Sequence, residues 1–268
     1  MNGLRHFLLA LQFFTRVPVT GALARWVGYS PAMLRASAGH FPGIGWLVGG
    51  LGAAVFACVS IGFPGPAGAL AAAVASTAAT VLMTGAFHED GLADLADGLG
   101  GSADRARALE IMKDSRIGAF GAIALVLVLG LKFALLAVLA GQGMRMAAIA
   151  LVCAHVLSRL APLYLIRALP YVGDQGASKA KPMAEAISLG AMAIGLLWAL
   201  PALALLCLLP PGAEGIGRGL AALLLCALAA CVMARLCWAR LRGFTGDCLG
   251  ATQQVCELAI YFALAWRA

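Results

Sequence analysis

Seven stretches of about 20 residues, nearly free of charge, dictate what this chain can become. They cover residues 42–63, 66–87, 117–140, 144–164, 187–209, 216–237 and 246–266. A helix of that length spans the roughly 30 Å hydrocarbon core of a bilayer. In lipid the backbone must satisfy its own hydrogen bonds, so only helices and closed barrels cross. The short alternating strands of a barrel are absent from the pattern. Leucine and alanine dominate, and both favour helix. The expectation is an all-α, polytopic membrane bundle of about seven helices, forming one domain over residues 1–268. Composition supports it: 62% of the residues are apolar and 12% charged, against about 25% charged in a soluble domain. A soluble globule, a coiled coil and a disordered chain are all excluded.

The few charges give the chain a direction. Fourteen of the nineteen basic residues fall in alternate connections: Arg5, Arg16, Arg25 and Arg35; Arg105, Arg107, Lys113 and Arg116; Arg167, Lys179 and Lys181; Arg235, Arg240 and Arg242. The other side carries Arg145, Arg218 and Arg267. The positive-inside rule makes the richer side cytoplasmic, with the N-terminus inside. The net charge of +7 is thus a topology signal. Its spread over four connections speaks against a nucleic-acid partner.

Before the first span, Leu4, Phe7, Leu8, Leu11 and Phe14 form one stripe of a helix, with Arg5, Gln12 and Arg16 opposite. This pattern suits an uncleaved helix at the inner leaflet better than a secretory signal. Gly45 and Gly49 form a GxxxG pair suited to close helix packing. The cysteines are scattered, with no CxxC pair, so they read as small core residues.

Seven of the twelve acids lie between positions 89 and 114, in HEDGLADLADGLGGSADRARALEIMKDSRIGAFG. This polar segment, 88–116, is expected to be a cytoplasmic loop. Within it Asp90, Asp94 and Asp97 are spaced by four and three residues, so on a helix they share a face. Like charges gathered in so charge-poor a chain call for a cation, and all-oxygen donors favour Mg²⁺ or Mn²⁺ over zinc. Glu89 lies about 100° away, at the helical 3.6-residue period. Gly91 and Gly98 would let backbone approach a bulky ligand. Asp114 is a candidate base or second ligand, and Lys113 and Arg116 are candidate phosphate contacts. Gly118 and Gly121 would admit a phosphate to the start of the next helix.

Two further regions carry polar features. Residues 169–182 bring Asp174, Lys179 and Lys181 to a connection able to cover an anionic substrate. In GFTGDCLGATQQVCELAIYF, Asp247 opens the seventh span and Gln254 follows on nearly the same face. Glu257 falls about 15 Å deeper, at ~1.5 Å rise per residue. An acid at that depth faces the bundle interior and marks function by default. Lys132 and Arg159 are its candidate partners.

Six motifs in order, LQFFTRVPV, HEDGLADLADGLGG, EIMKDSRIGAFG, LSRLAP, SKAKP and GDCLGATQQVCE, resemble the cobalamin synthase family, the adenosylcobinamide-GDP ribazoletransferases. The resemblance runs from about residue 8 to 262. It implies a bacterial inner-membrane, Mg²⁺-dependent enzyme late in vitamin B12 assembly. Such an enzyme joins adenosylcobinamide-GDP to α-ribazole or α-ribazole 5′-phosphate and releases GMP. The resemblance marks the motifs, and chemistry suggests the roles within them. Glu89, Asp90, Asp94 and Asp97 would hold metal. Asp114 and Asp247 would act in catalysis. Lys113, Arg116, Lys179, Lys181 and Glu257 would contact substrate. The acidic motif also looks like the CDP-alcohol phosphotransferase pattern, but Asp94 stands where that pattern has Arg and its GxxxDxxxD half is missing. Self-association into a homo-oligomer is left open.

Overall fold

The computed structural model describes residues 2–173, 187–210 and 212–266. Three short helices lead in: α1 (Asn2–Phe14), α2 (Gly21–Val27) and α3 (Pro31–Ser37). A 3-10 turn carries α3 into α4 (Phe41–Gly62), followed by α5 (Pro66–Thr84). The acidic segment forms α6 (Phe87–Gly101) and α7 (Arg105–Ile111), and α8 (Ala119–Gly141) follows. Next come α9 (Met144–Leu157), a 3-10 turn and α10 (Ala161–Ala168). Helices α11 (Leu189–Leu206), α12 (Ala213–Leu241) and α13 (Gly246–Ala265) complete the described chain.

Among the described residues, seven helical stretches are long and apolar enough to cross a membrane: α3–α4, α5, α8, α9–α10, α11, α12 and α13. They fall where the apolar runs predicted. They are not equivalent. In their most apolar windows, α9–α10 is 83% buried and α13 is 72% buried, against 22–39% for the other five. The five outer spans turn residues such as Val126, Leu127 and Leu224 outward, as a lipid-facing surface requires. The two inner spans are screened from lipid on most sides, so they can carry polar groups at depth without great cost, and the outer spans can do so only on their inward faces.

Small residues let the helices meet. Gly45 and Gly49 of α4 face the backbone of α9 at His155, Val156 and Val152, leaving no room for a side chain. Ser76 of α5 donates to the Gly52 carbonyl of α4 at 2.8 Å.

The connections sort to two ends, as the charges implied. At one end Arg16 N donates to Met83 O (2.7 Å) and Val172 N to Phe244 O (2.9 Å). There Arg105 reaches Leu241 O (2.6 Å) and Arg240 reaches Ser102 O (2.7 Å). At the other end Gln142 donates to Ala265 O and accepts from Arg218, both at 2.7 Å.

Two expectations change in form. The 88–116 segment is not a loop: most of it is α6 and α7, with α6 packed beneath α13 and α8. Helix α1 does more than lie on a surface. Leu9, Ala10, Leu11 and Phe14 enter the core, Phe14 stacks on Phe41 at 4.1 Å, and Arg5 donates to Val27 O.

Candidate active site

The site is built where α6 crosses the start of α13. A methyl group on Gly91 would lie 2.9 Å from Asp247 Cα, and one on Gly250 would lie 3.2 Å from His88 Cα. The two helices therefore touch backbone to backbone. Gly91 and Gly98 had been expected to admit a ligand. Gly91 admits the α13 backbone instead, and Gly98 admits Met112 and Ala108 of α7.

This crossing sets Asp90 and Asp94 of α6 against Asp247 of α13. Thr245 caps α13, accepting from Cys248 N and donating to Asp247 Oδ2 at 3.1 Å. Asp90 is exposed, while Asp94 and Asp247 are half-buried. Burial first, and then the negative charges of Asp247, Asp90 and Asp97, push the Asp94 carboxyl up to about 7.

Asp97 does not present a free carboxylate to this group. Its Oδ2 accepts from Gly118 N at 2.7 Å and its Oδ1 from Gly121 N at 2.8 Å. The start of α8 is thus an anion site, as its glycines suggested, but the anion it holds is the chain's own Asp97. Glu89 is also turned away. It is buried, and its Oε1 accepts from Gln254 of α13 at 3.0 Å. Burial raises its pKa, with partial relief from Lys132.

Asp114 and Arg116 stand apart on the turn before α8. Arg116 closes a bidentate pair onto Asp114 and holds that carboxyl down at about 2. The groups are 39% and 87% exposed, so both act first on each other. Lys179 and Lys181, with Asp174, lie outside the described residues. Glu257 is 1% exposed and paired with Lys132 at 2.6 Å. It faces the bundle interior as its depth required, and it does not line the cavity.

A cavity of about 1190 Å³ opens beside the crossing, with Asp90, Asp247, Thr245 and Lys113 in its wall. Drug-sized ligands usually occupy about 300–1,000 Å³, so this space suits something larger. Leu9, Phe13, Tyr29 and Leu34 from the N-terminal helices, with Phe87 and Tyr171, supply an apolar wall. The sequence reading missed that wall. The α1 stripe gives no sign of it: from α1 it is Leu9, Gln12 and Phe13 that line the cavity, none of them on the apolar stripe.

Among the described residues, no group of three or more His, Cys, Asp or Glu side chains is arranged to hold a metal ion unaided. Mg²⁺ commonly uses only one or two carboxylates, water and substrate phosphate. Oxygen donors whose charges repel one another, at the edge of a large cavity, fit such a partial site.

A polytopic helical membrane protein with a carboxylate-lined cavity at one end has the form of a membrane-embedded enzyme. Residues 6–265 match the family model described as cobalamin-5-phosphate synthase. Similarity to individual proteins is as extensive. An adenosylcobinamide-GDP ribazoletransferase of Albidiferax ferrireducens is 58% identical, covering 98% of each chain. Proteins of the same name from Polaromonas naphthalenivorans (55%, 99% of each chain) and Shewanella amazonensis (43%, 96% of this chain and 94% of that one) also match. No solved structure matches. The chain belongs to the cobalamin-5-phosphate synthase family.

Proposed function

We propose that this chain joins adenosylcobinamide-GDP to α-ribazole or its 5′-phosphate and releases GMP, at the α6–α13 crossing. The names of the relatives supply the reaction class. The observation that carries the site is the crowding of Asp90, Asp94 and Asp247 beside a cavity large enough for a bulky, partly apolar substrate. One or two of Asp90, Asp94 and Asp247 would hold Mg²⁺, together with water and substrate phosphate. When bound, the ion would neutralise diphosphate charge and favour departure of GMP.

The chain's own groups do the rest. Lys113, on the cavity wall, attracts phosphate oxygens, and the apolar wall receives the uncharged parts of the substrates. The acceptor oxygen attacks the phosphorus attached to cobinamide, forming a new P–O bond while the bond to GMP breaks. With either acceptor, the attacking oxygen is a free ribose hydroxyl whose proton passes to a carboxylate of the cluster, and Asp247 is the candidate because it opens onto the cavity. The 5′-phosphate, where present, passes unchanged into the product. Asp114 is a poor base when held at about 2 by Arg116. The basic connections orient the site end, with the N-terminus, toward the cytoplasm of a bacterial inner membrane.

The test is GMP release by purified protein in detergent, with and without Mg²⁺, comparing wild type with Asp94→Asn. The expected loss is about 100-fold or more in kcat, in the range seen when groups stabilising transition-state charge are removed. Wild-type turnover by the variant at matched Mg²⁺ would overturn the assignment.

A further inference from the structure

Behind the carboxylate cluster the bundle encloses a second set of charges that the reaction above does not use. Lys132 Nζ of α8 lies 2.6 Å from Glu257 Oε1 of α13, with the two side chains 2% and 1% exposed. The Tyr261 hydroxyl donates to the same oxygen at 3.1 Å. Gln253 Nε2 donates to Glu257 Oε2 at 2.6 Å and to Ser158 at 3.0 Å. Gln254 Nε2 donates both to Gln253 Oε1 and to Glu89 Oε1, each at 3.0 Å. An unbroken chain of hydrogen bonds therefore runs from α8 through α13 to α6. It ends one residue from Asp90.

The same chamber holds Arg159, which is 1% exposed and donates to His155 O at 2.7 Å. His155 Nδ1 in turn lies 3.5 Å from Glu257 Oε2. Lys132 and Arg159 thus balance Glu257 and Glu89. Such a set is a poor way to gain stability, because apolar replacements of a buried pair are often as stable. A connected polar network does fix one geometry among many, and here the links along α13 are made while Glu89 Oε2, His155 Nε2 and Arg159 Nε lack a hydrogen-bond partner among the described residues. Helices in lipid gain little discrimination from apolar packing alone. Helix α6 has the most to gain, since it is not itself a span and must be oriented against its neighbours.

We infer that the chain Lys132–Glu257–Gln253–Gln254–Glu89 positions α6 on α13 and thereby sets the approach of Asp90 and Asp94 to Asp247. These are positioning residues, and the inference rests on the carboxylate cluster being the reaction centre. It also moves Glu257 from substrate contact to support of the site.

Charge balance supplies the test. Lys132→Met and Glu257→Gln each leave an unmatched charge, and the double variant restores the balance. The readouts are the thermal midpoint in detergent and the kcat and KM of GMP release. Each single variant is expected to lose about 10-fold or more in kcat, with KM within about threefold, and to unfold at a lower temperature. The double variant is expected to recover kcat to within about threefold of wild type and most of the midpoint. A double variant no better than the worse single would overturn the inference, since groups that touch substrate cannot rescue one another.

Gln254→Met cuts the link to Glu89 without changing any charge, and covers the case in which a single charge variant fails to fold. It is expected to fold and to lose about fivefold or more in kcat, as misplaced catalytic groups do. Wild-type kcat in that variant would also overturn the inference. If the wild-type protein releases no GMP, the proposed reaction fails on its own account. The thermal cycle still judges the coupling: midpoint losses that simply add in the double variant would count against it.

Discussion

Helices α6 and α13 each carry two kinds of acid. Glu89 and Glu257 point into the bundle, where Lys132 and Arg159 answer them. Asp90 and Asp247 line the cavity, with Asp94 beside them, where the charges that act most on Asp94 share its own sign. Glu89 and Asp90 are adjacent in sequence, yet they belong to different regimes because neighbouring helical residues face about 100° apart. The protein satisfies Glu257 on both oxygens and Glu89 on one. The cavity acids are in a state that an arriving cation would relieve. Matched charges thus sit inside the bundle, and unmatched ones sit beside the cavity where the proposed cation would bind.

The comparison breaks most readily at Gly91, which holds the two regimes in register. Gly91→Ala drives a methyl group into the Asp247 backbone, a contact with no flexible side chain to yield. The expected packing cost is about 1–3 kcal/mol. The expected fall in kcat is about 100-fold, because shifts near 1 Å in a catalytic constellation have that effect. Steady-state GMP release, set beside the thermal midpoint of the same preparation, measures both. Normal kcat in a folded Gly91→Ala protein would show that the crossing does not set the site.

A gentler probe is pH. Asp94, raised to about 7, keeps its proton in the folded protein at pH values where an unfolded carboxylate has lost it. From the ordinary carboxylate range up to about 7, the folded state therefore binds more protons than the unfolded one. Metal-free stability should fall as pH rises through that window. Cation binding needs the ionised form, so Mg²⁺ affinity should rise through about pH 7 with release of about one proton per ion. Calorimetry in buffers of different ionisation enthalpy measures that proton. Asp94→Asn should flatten both trends. Equal Mg²⁺ affinity at pH 6 and pH 8 would separate Asp94 from the cation site.

Much of this was legible in the sequence, and the reasons are physical. Lipid imposes long apolar runs, so the seven spans could be read directly, and scarcity of charge made HEDGLADLADG conspicuous. The depth of Glu257 and the presence of Lys132 and Arg159 on other spans anticipated an interior pairing. Spacing along one helix could not say which acids share a site with another helix. Asp90 and Asp94 meet Asp247, while Asp97 satisfies the N-terminus of α8. Periodicity reports the face a residue occupies, and only packing reports what stands opposite. The apolar wall from α1–α3 was illegible for the same reason, since its leucines and phenylalanines look alike whether they meet lipid, core or substrate.

Asp114 tests the comparison at its weakest point. By sequence it is a candidate base or second ligand, an acid between Lys113 and Arg116. In the fold it is a third kind of acid, neither enclosed by the interior network nor crowded at the crossing. Arg116 satisfies it locally, and both groups face outward. Exposed pairs of this kind contribute little, and a carboxyl held low is badly matched to proton abstraction near neutrality. Asp114→Ala is therefore expected to retain kcat within about twofold of wild type, with the main change in KM as Arg116 is released toward the cavity side. A loss comparable to that of Asp94→Asn would place Asp114 at the reacting atoms. It would also mean that the turn before α8 folds onto the crossing when substrate binds.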